Sequence, residues 1–175
     1  FRRVLFRSVT CVCKHSFSSH SSLQLNPVLQ LQNAECGLAC LCMIANAHGQ
    51  HWRLMDLRHK FPQTLKGANL KQLIDHSQVL GFNARPVRLE LEELHQLATP
   101  CILHWDLNHF VVLQKVKGQQ ITLLDPAIGV RNINLATASH SFTGVALELT
   151  PQVHFKAMPA PKTFPLSQLT GDRKS

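Results

Sequence analysis

The chain has 175 residues, 45% of them apolar, and a formal net charge of +8, which suits one domain of ordinary size with a true core. The charge sits at the ends: Arg2, Arg3, Arg7 and Lys14 face no acid in 1–27, Lys156, Lys162, Arg173 and Lys174 face only Asp172 in 151–175, and 28–150 holds ten bases against nine acids. A nearly neutral central segment argues against a nucleic-acid groove, and the lack of any run of about 18 apolar residues argues against a membrane-spanning helix.

In chain order, residues 1–25 read as a flexible arm with no sustained period. Its first eight residues, FRRVLFRS, resemble translated adapter sequence, and a chain opening on Phe1 is expected to be a fragment. Cys11 and Cys13, near His15 and His20, are separated by one residue, a poor zinc pattern, so no metal is expected. Residues 35–48 are apolar on most sides and predict a buried central helix ending at Gly49. Leu54, Leu57 and Phe61 predict a helix over 52–61 that stops at Pro62, and Leu70, Leu73, Ile74 and Leu80 predict another over 69–80 that stops at Gly81. The period then changes. Residues 82–89 read as a strand, 90–97 as a short helix, and 101–104, 109–116, 120–124, 130–134 and 145–149 as strands. Helices first and an antiparallel sheet second predict an α+β domain over 26–150. Pro159, Pro161 and Pro165 mark 151–175 as a linker.

The chemistry gathers in QLQNAECGLACLC, residues 30–42, where Gln30 stands six residues ahead of Cys36 at the start of the apolar helix. A helix N-terminus favours a thiolate, and a glutamine amide beside it can donate to an oxyanion. The second half must then supply a base. His109 opens the strand HFVVLQKV and Asp125 closes ITLLD, so the hairpin between them decides whether they meet. A three-residue loop over 116–118 pairs Lys115 with Gln119 and sets His109 opposite Asp125; a two-residue Lys117-Gly118 turn sets His109 opposite Pro126 and sends Asp125 to the other face. Function requires the three-residue loop. Cys36 is then the nucleophile, His109 the acid and base, Asp125 its orienting carboxylate and Gln30 the oxyanion donor.

Plainer readings apply to the neighbours. Cys40, Cys42 and Cys101 read as small core residues, and Glu35 as favourable charge at a helix start. Cys36 and Cys40 lie one helical turn apart, where a disulfide would strain the helix, so a reducing environment fits the six cysteines. Other classes compatible with these residues are a non-catalytic docking module, an amidase or transglutaminase on the same scaffold, and a metal-binding protein.

QLQNAECGLACLCMI, LRHKFPQTLKGANLKQL, TPCILHWDLNHFVVL, LLDPAIGVRNI and FTGVALEL, in that order from about Asn26 to Thr150, resemble the N-terminal peptidase domain of bacteriocin-exporting ABC transporters of the colicin V type. The resemblance implies a papain-like cysteine protease fold that cuts a leader peptide after a Gly-Gly pair. The family's Cys, His, Asp and Gln fall on Cys36, His109, Asp125 and Gln30, and His104, Trp105 and Asp106 are expected to line the cleft. It also implies a bacteriocin or microcin leader as partner, with transmembrane and ATP-binding domains of the same exporter, a homodimer in the full transporter, and a place on the cytoplasmic side of the bacterial inner membrane. No cofactor is expected for cleavage, and with no P-loop in these residues ATP is expected only in the nucleotide-binding domain.

Overall fold

The computed structural model describes residue 23 and residues 25–62 and 67–158. Three helices come first: α1 over Cys36–Ala47, α2 over Leu54–Lys60 and α3 over Leu70–Val79. A short 3-10 turn, Asn33–Glu35, precedes α1, so Cys36 is the first residue of the helix, and ten consecutive residues of α1 from Cys36 are buried. α3 starts where Asn69 Oδ1 accepts the Gln72 N–H at 2.9 Å while Gln72 Oε1 accepts the Asn69 N–H at 2.9 Å. That reciprocal pair satisfies two amides that a helix start otherwise leaves open.

Six strands follow: β1 (Phe82–Arg88), β2 (Cys101–Trp105), β3 (His109–Lys117), β4 (Gln120–Asp125), β5 (Gly129–Asn134) and β6 (Phe142–Pro151). They form one antiparallel sheet in the order β1-β6-β2-β3-β4-β5. One face packs on the helices, joining Leu38, Leu41, Ile44, Leu57 and Leu73 to Ile102, Phe110, Val112, Leu124 and Leu147. The other face builds a second core from Leu103, Trp105, Val111, Leu113, Ile121 and Leu123, closed by Leu94 and Leu97 and by Ala138 of a short helix α4 (Leu135–Ala138). Strands buried on both faces explain the near-continuous apolar runs CILHW and FVVL.

The short helix expected over 90–97 is present as a 3-10 helix, Leu91–Gln96, which leaves Leu94 and Leu97 in the second core. One expectation needs correction. The β3–β4 hairpin has neither of the two expected loops. Lys117 pairs with Gln120, so the turn is Gly118-Gln119, with Gly118 at φ +56 in the first central position, where a tight hairpin turn favours glycine.

Residues 152–158 follow β6 and lie against the loop after α1. Gln50, 6% exposed, donates from Nε2 to the carbonyls of Leu80 and Lys156 at 3.0 and 3.2 Å and accepts the Trp52 indole N–H at 3.0 Å. Phe155 stacks edge-on against Phe82 at 4.9 Å. The arm with Cys11 and Cys13 and the stretch with Pro159, Pro161 and Pro165 lie outside the described residues. Gln50→Leu leaves two carbonyls and an indole N–H without their partner; the expected loss is about 2 kcal/mol, seen as a lower urea midpoint with unchanged slope.

Candidate active site

The segment leading into α1 is tied down by its backbone. Gln30 donates its N–H to the Pro126 carbonyl at 2.9 Å, which fixes it to the turn after β4. The carboxylate of Glu35, 2% exposed, accepts the N–H groups of Leu31 and Gln32 on Oε2 at 3.1 and 3.2 Å. Its Oε1 lies 2.5 Å from Nε of Arg58 on α2. The guanidinium is off-line there, an ion pair without a directed hydrogen bond, and its Nη2 is buried with no hydrogen-bond partner. The Gln30 side chain is half-buried, and its Oε1 is buried with no hydrogen-bond partner. Gly67, at φ +76, closes the approach to this segment. A Cβ built there would stand 2.9 Å from the Ala34 carbonyl oxygen, so a larger residue would push on the turn before Cys36.

His109 and Asp125 meet, though by a route other than direct pairing. Near the turn the β3–β4 register is Lys117↔Gln120, Val116↔Ile121 and Lys115↔Thr122; beyond it, Leu113↔Leu123 and Val112↔Leu124. Gln114 is thus the extra residue of a β-bulge. Without the bulge Asp125 would face Val112 and lie on the opposite side of the sheet from His109. With it, one further step sets Asp125 opposite Val111, two residues along from His109 on the same face. That diagonal is within reach of long side chains, and His109 Nε2 lies 2.8 Å from Asp125 Oδ1. Oδ1 also accepts the Ala127 N–H at 2.9 Å, and Arg131 Nη1 donates to Oδ2 at 3.2 Å.

The electrostatics follow from these contacts. The Asp125 hydrogen bond and then the Cys36 sulfur raise His109 from its ordinary 6.5 to about 9, against the opposing effect of burial. Nε2 is taken by Asp125, which leaves Nδ1 for the thiol. Burial works against the Asp125 carboxylate, but His109, the Ala127 amide and Arg131 outweigh it and hold Asp125 below its ordinary range. Burial is the main cause that pushes up Cys40, Cys42 and Cys101: Cys40 well up, Cys42 to about 12, and Cys101 upward. Cys40 Sγ donates to the Phe110 carbonyl at 3.4 Å, one helical turn along from Cys36, and so joins α1 to the residue after His109.

A cleft of about 600 Å³ borders the site, lined by Leu70, His104, Leu107, Asn108, Phe110 and Val145. His104 lines this cleft, its Nδ1 2.8 Å from Thr143 Oγ1. Trp105 does not: it pairs with His109 across β2–β3 but is 2% exposed, packed with Cys101 and Leu103 in the second core. Asp106, at φ +46, lines a different hollow with His140 and Phe142. Sequence reasoning missed Arg58 and Arg131 as partners of the site and undervalued Glu35. Arg58 and Arg131 come from other elements, with no local pattern to mark them. Among the described residues there is no group of three or more His, Cys, Asp and Glu able to hold a metal ion, and no helix long and apolar enough to cross a membrane.

With helices laid on an antiparallel sheet and a Cys at a helix start beside a His–Asp pair, the architecture is that of a papain-like cysteine peptidase. Residues 24–154 match the Peptidase C39 family, and the chain belongs to that family of cysteine peptidases. Its curated relatives include the colicin V secretion/processing ATP-binding protein of Escherichia coli, 48% identical over 132 residues, 75% of this chain and 19% of the relative. The probable microcin-H47 secretion/processing ATP-binding protein of Escherichia coli is 47% identical over the same share of each. This chain thus spans about a fifth of the length of those relatives. Among solved structures, a double glycine motif protease from an AMS/PCAT transporter, in complex with the leader peptide, superposes with a TM-score of 0.71 at 30% identity, covering 77% of this chain and 96% of that one. The peptidase domain of Streptococcus ComA shares the fold, with a TM-score of 0.68 at 24% identity over 74% of this chain and 100% of that one.

The titration of the pair has a signed consequence for stability. His109 is raised on folding, so its contribution is whole below pH 6.5 and is lost as pH rises through about 9. Asp125 is lowered, so its contribution is present above pH 3.8 and is lost as pH falls through its lower folded value. The difference in Tm between the parent and Asp125→Asn is expected to be greatest between pH 3.8 and 6.5, to decline through neutral pH and to be lost above about pH 9. A difference that stays constant across that range would contradict the pairing.

Proposed function

We propose that this domain is a thiol endopeptidase that cuts a leader peptide after a Gly-Gly pair, with Cys36, His109 and Asp125 as its triad and Gln30 as oxyanion donor. The observation that carries this reading is the His109–Asp125 pair, at 2.8 Å, raised by both Asp125 and the Cys36 sulfur. The backbone bond from Gln30 to the carbonyl of Pro126, the residue after Asp125, brings the half-buried Gln30 to this corner and supports the oxyanion role.

The mechanism follows from the groups. Cys36, as thiolate beside the His109 imidazolium, attacks the carbonyl carbon of the second glycine. The oxyanion is met by the Gln30 Nε2–H and the Cys36 backbone N–H, donors worth roughly 3 kcal/mol each in barrier. His109 gives its Nδ1 proton to the leaving amine, and the C–N bond breaks to leave a thioester. A water molecule, its proton taken by His109, then attacks the thioester and releases the leader with a free carboxylate. Asp125 holds the ring and stabilises the imidazolium throughout.

Specificity for Gly-Gly has a steric reason. A cleft narrow at Cys36 would admit a backbone without side chains and reject larger residues by overlap; Gly67, packed against Ala34 two residues before Cys36, already leaves no room for a side chain of its own there. The apolar part of the neighbouring cleft, with Leu70, Leu107 and Phe110, suits side chains from an amphipathic leader. The resemblance to secretion/processing ATP-binding proteins supports a place within a longer exporter whose further domains would use ATP; the dimeric exporter and the cytoplasmic side of the inner membrane belong to the proposal.

The test is mass spectrometry of a synthetic Gly-Gly leader peptide incubated with the domain under reducing conditions. Cleavage after the second glycine by the parent, and none by Cys36→Ala, is expected; Gln30→Ala should lower kcat by about 10²-fold or more. A leader that binds and stays intact with the parent would instead favour a docking module.

A further inference from the structure

We propose that Glu35 and Arg58 form a positioning pair for the oxyanion donor: Glu35 grips the two amides after Gln30, Arg58 compensates its buried charge, and together they hold the Gln30 carboxamide facing Cys36. The inference rests on the peptidase reading above and assigns neither residue a contact with substrate.

The segment over 29–33 has almost nothing else to hold it. Leu29 and Leu31 are 55% and 72% exposed, and Gln32 and Asn33 are exposed as well. Packing therefore does not fix this stretch, and its order must come from its backbone hydrogen bonds. On the Gln30 side that bond is the one to the Pro126 carbonyl, at 2.9 Å. On the Cys36 side, one carboxylate oxygen of Glu35 takes the N–H groups of both Leu31 and Gln32, and Gln32 in turn accepts the Glu35 N–H at 3.0 Å. Glu35 is bonded to Cys36 through the chain. Its grip thus sets the distance between Gln30 and the thiol as directly as any side chain can.

A carboxylate 2% exposed is an expensive way to cap a turn, since an ion removed from water must find compensation in the fold. Arg58 supplies it from α2: its side chain is 33% exposed overall, while its Nε and Nη2 are buried beside the carboxylate. A geometric duty explains why so costly a group stands there. Gln30 Oε1, buried and without a partner, shows that the carboxamide is not held by bonds of its own side chain oxygen. Its direction is inherited from the backbone that Glu35 fixes.

The experiment compares two reactions of Cys36 in the same domain. Hydrolysis of the Gly-Gly leader peptide passes through an oxyanion, whereas alkylation by iodoacetamide, which displaces iodide from a saturated carbon, does not. Glu35→Leu is expected to lower kcat by about tenfold or more with KM and alkylation rate changed by less than about twofold. Glu35→Gln keeps an acceptor for both amides and should return kcat to within about threefold of the parent. In a Gln30→Ala background the Glu35→Leu loss should shrink to less than about threefold, because the donor it positions is already gone. Should Glu35→Leu fail to fold, Arg58→Met carries the same comparison from the more exposed partner. Hydrolysis and alkylation falling together, or a Glu35 loss undiminished in the Gln30→Ala background, would overturn the positioning role. A parent that is alkylated but never cuts the leader would overturn the peptidase reading itself.

Discussion

The Asp125 carboxylate is the joint on which the site depends. It is 3% exposed and takes three donors: the His109 ring, the Ala127 amide and the Arg131 guanidinium. The residue after it, Pro126, offers its carbonyl to Gln30. One corner at the end of β4 therefore orients the imidazole and anchors the segment that leads to Cys36. A buried carboxylate left with a missing partner is heavily penalised, so the corner either forms completely or not at all.

Environment, not residue type, separates the thiols. Cys40, Cys42 and Cys101 are enclosed by apolar neighbours, and burial holds each as a neutral thiol. Cys36 begins the same helix but faces an imidazole that its Asp125 partner keeps protonated to about pH 9. The Cys40 bond to the Phe110 carbonyl then keeps α1 and β3 in register one turn away. Two cysteines four residues apart on a single helix thus stand in different surroundings, one beside an imidazole and the other enclosed by the core.

Much of this was legible in the sequence because the signals were local. Helix periodicity located α1, α2 and α3 to within two residues, and the order Gln30, Cys36, His109, Asp125 needed only a plausible hairpin. The hairpin itself was misread for a physical reason. FVVL is buried on both faces, so its pattern has no alternation from which to read register. The bulge at Gln114, which alone brings Asp125 to the His109 face, leaves no mark in composition. Trp105 is the direct cross-strand partner of His109, yet its large ring is packed into the second core, and nearness to His109 in sequence carries no sign of that burial. The Glu35–Arg58 pair joins the 3-10 turn before α1 to α2 across 23 positions, a distance at which a single sequence is silent.

The central claim is that four groups, Gln30, Cys36, His109 and Asp125, converge on one reacting carbonyl. A crystal structure of the domain with a Gly-Gly peptide ending in an aldehyde tests it most directly. The account predicts a covalent bond from Cys36 Sγ to the aldehyde carbon, with the resulting oxygen about 3 Å from both Gln30 Nε2 and the Cys36 backbone nitrogen. His109 should keep its contact with Asp125 and present Nδ1 to the adduct. An adduct whose oxygen lies away from Gln30, or an aldehyde bound without a bond to Cys36, would contradict it.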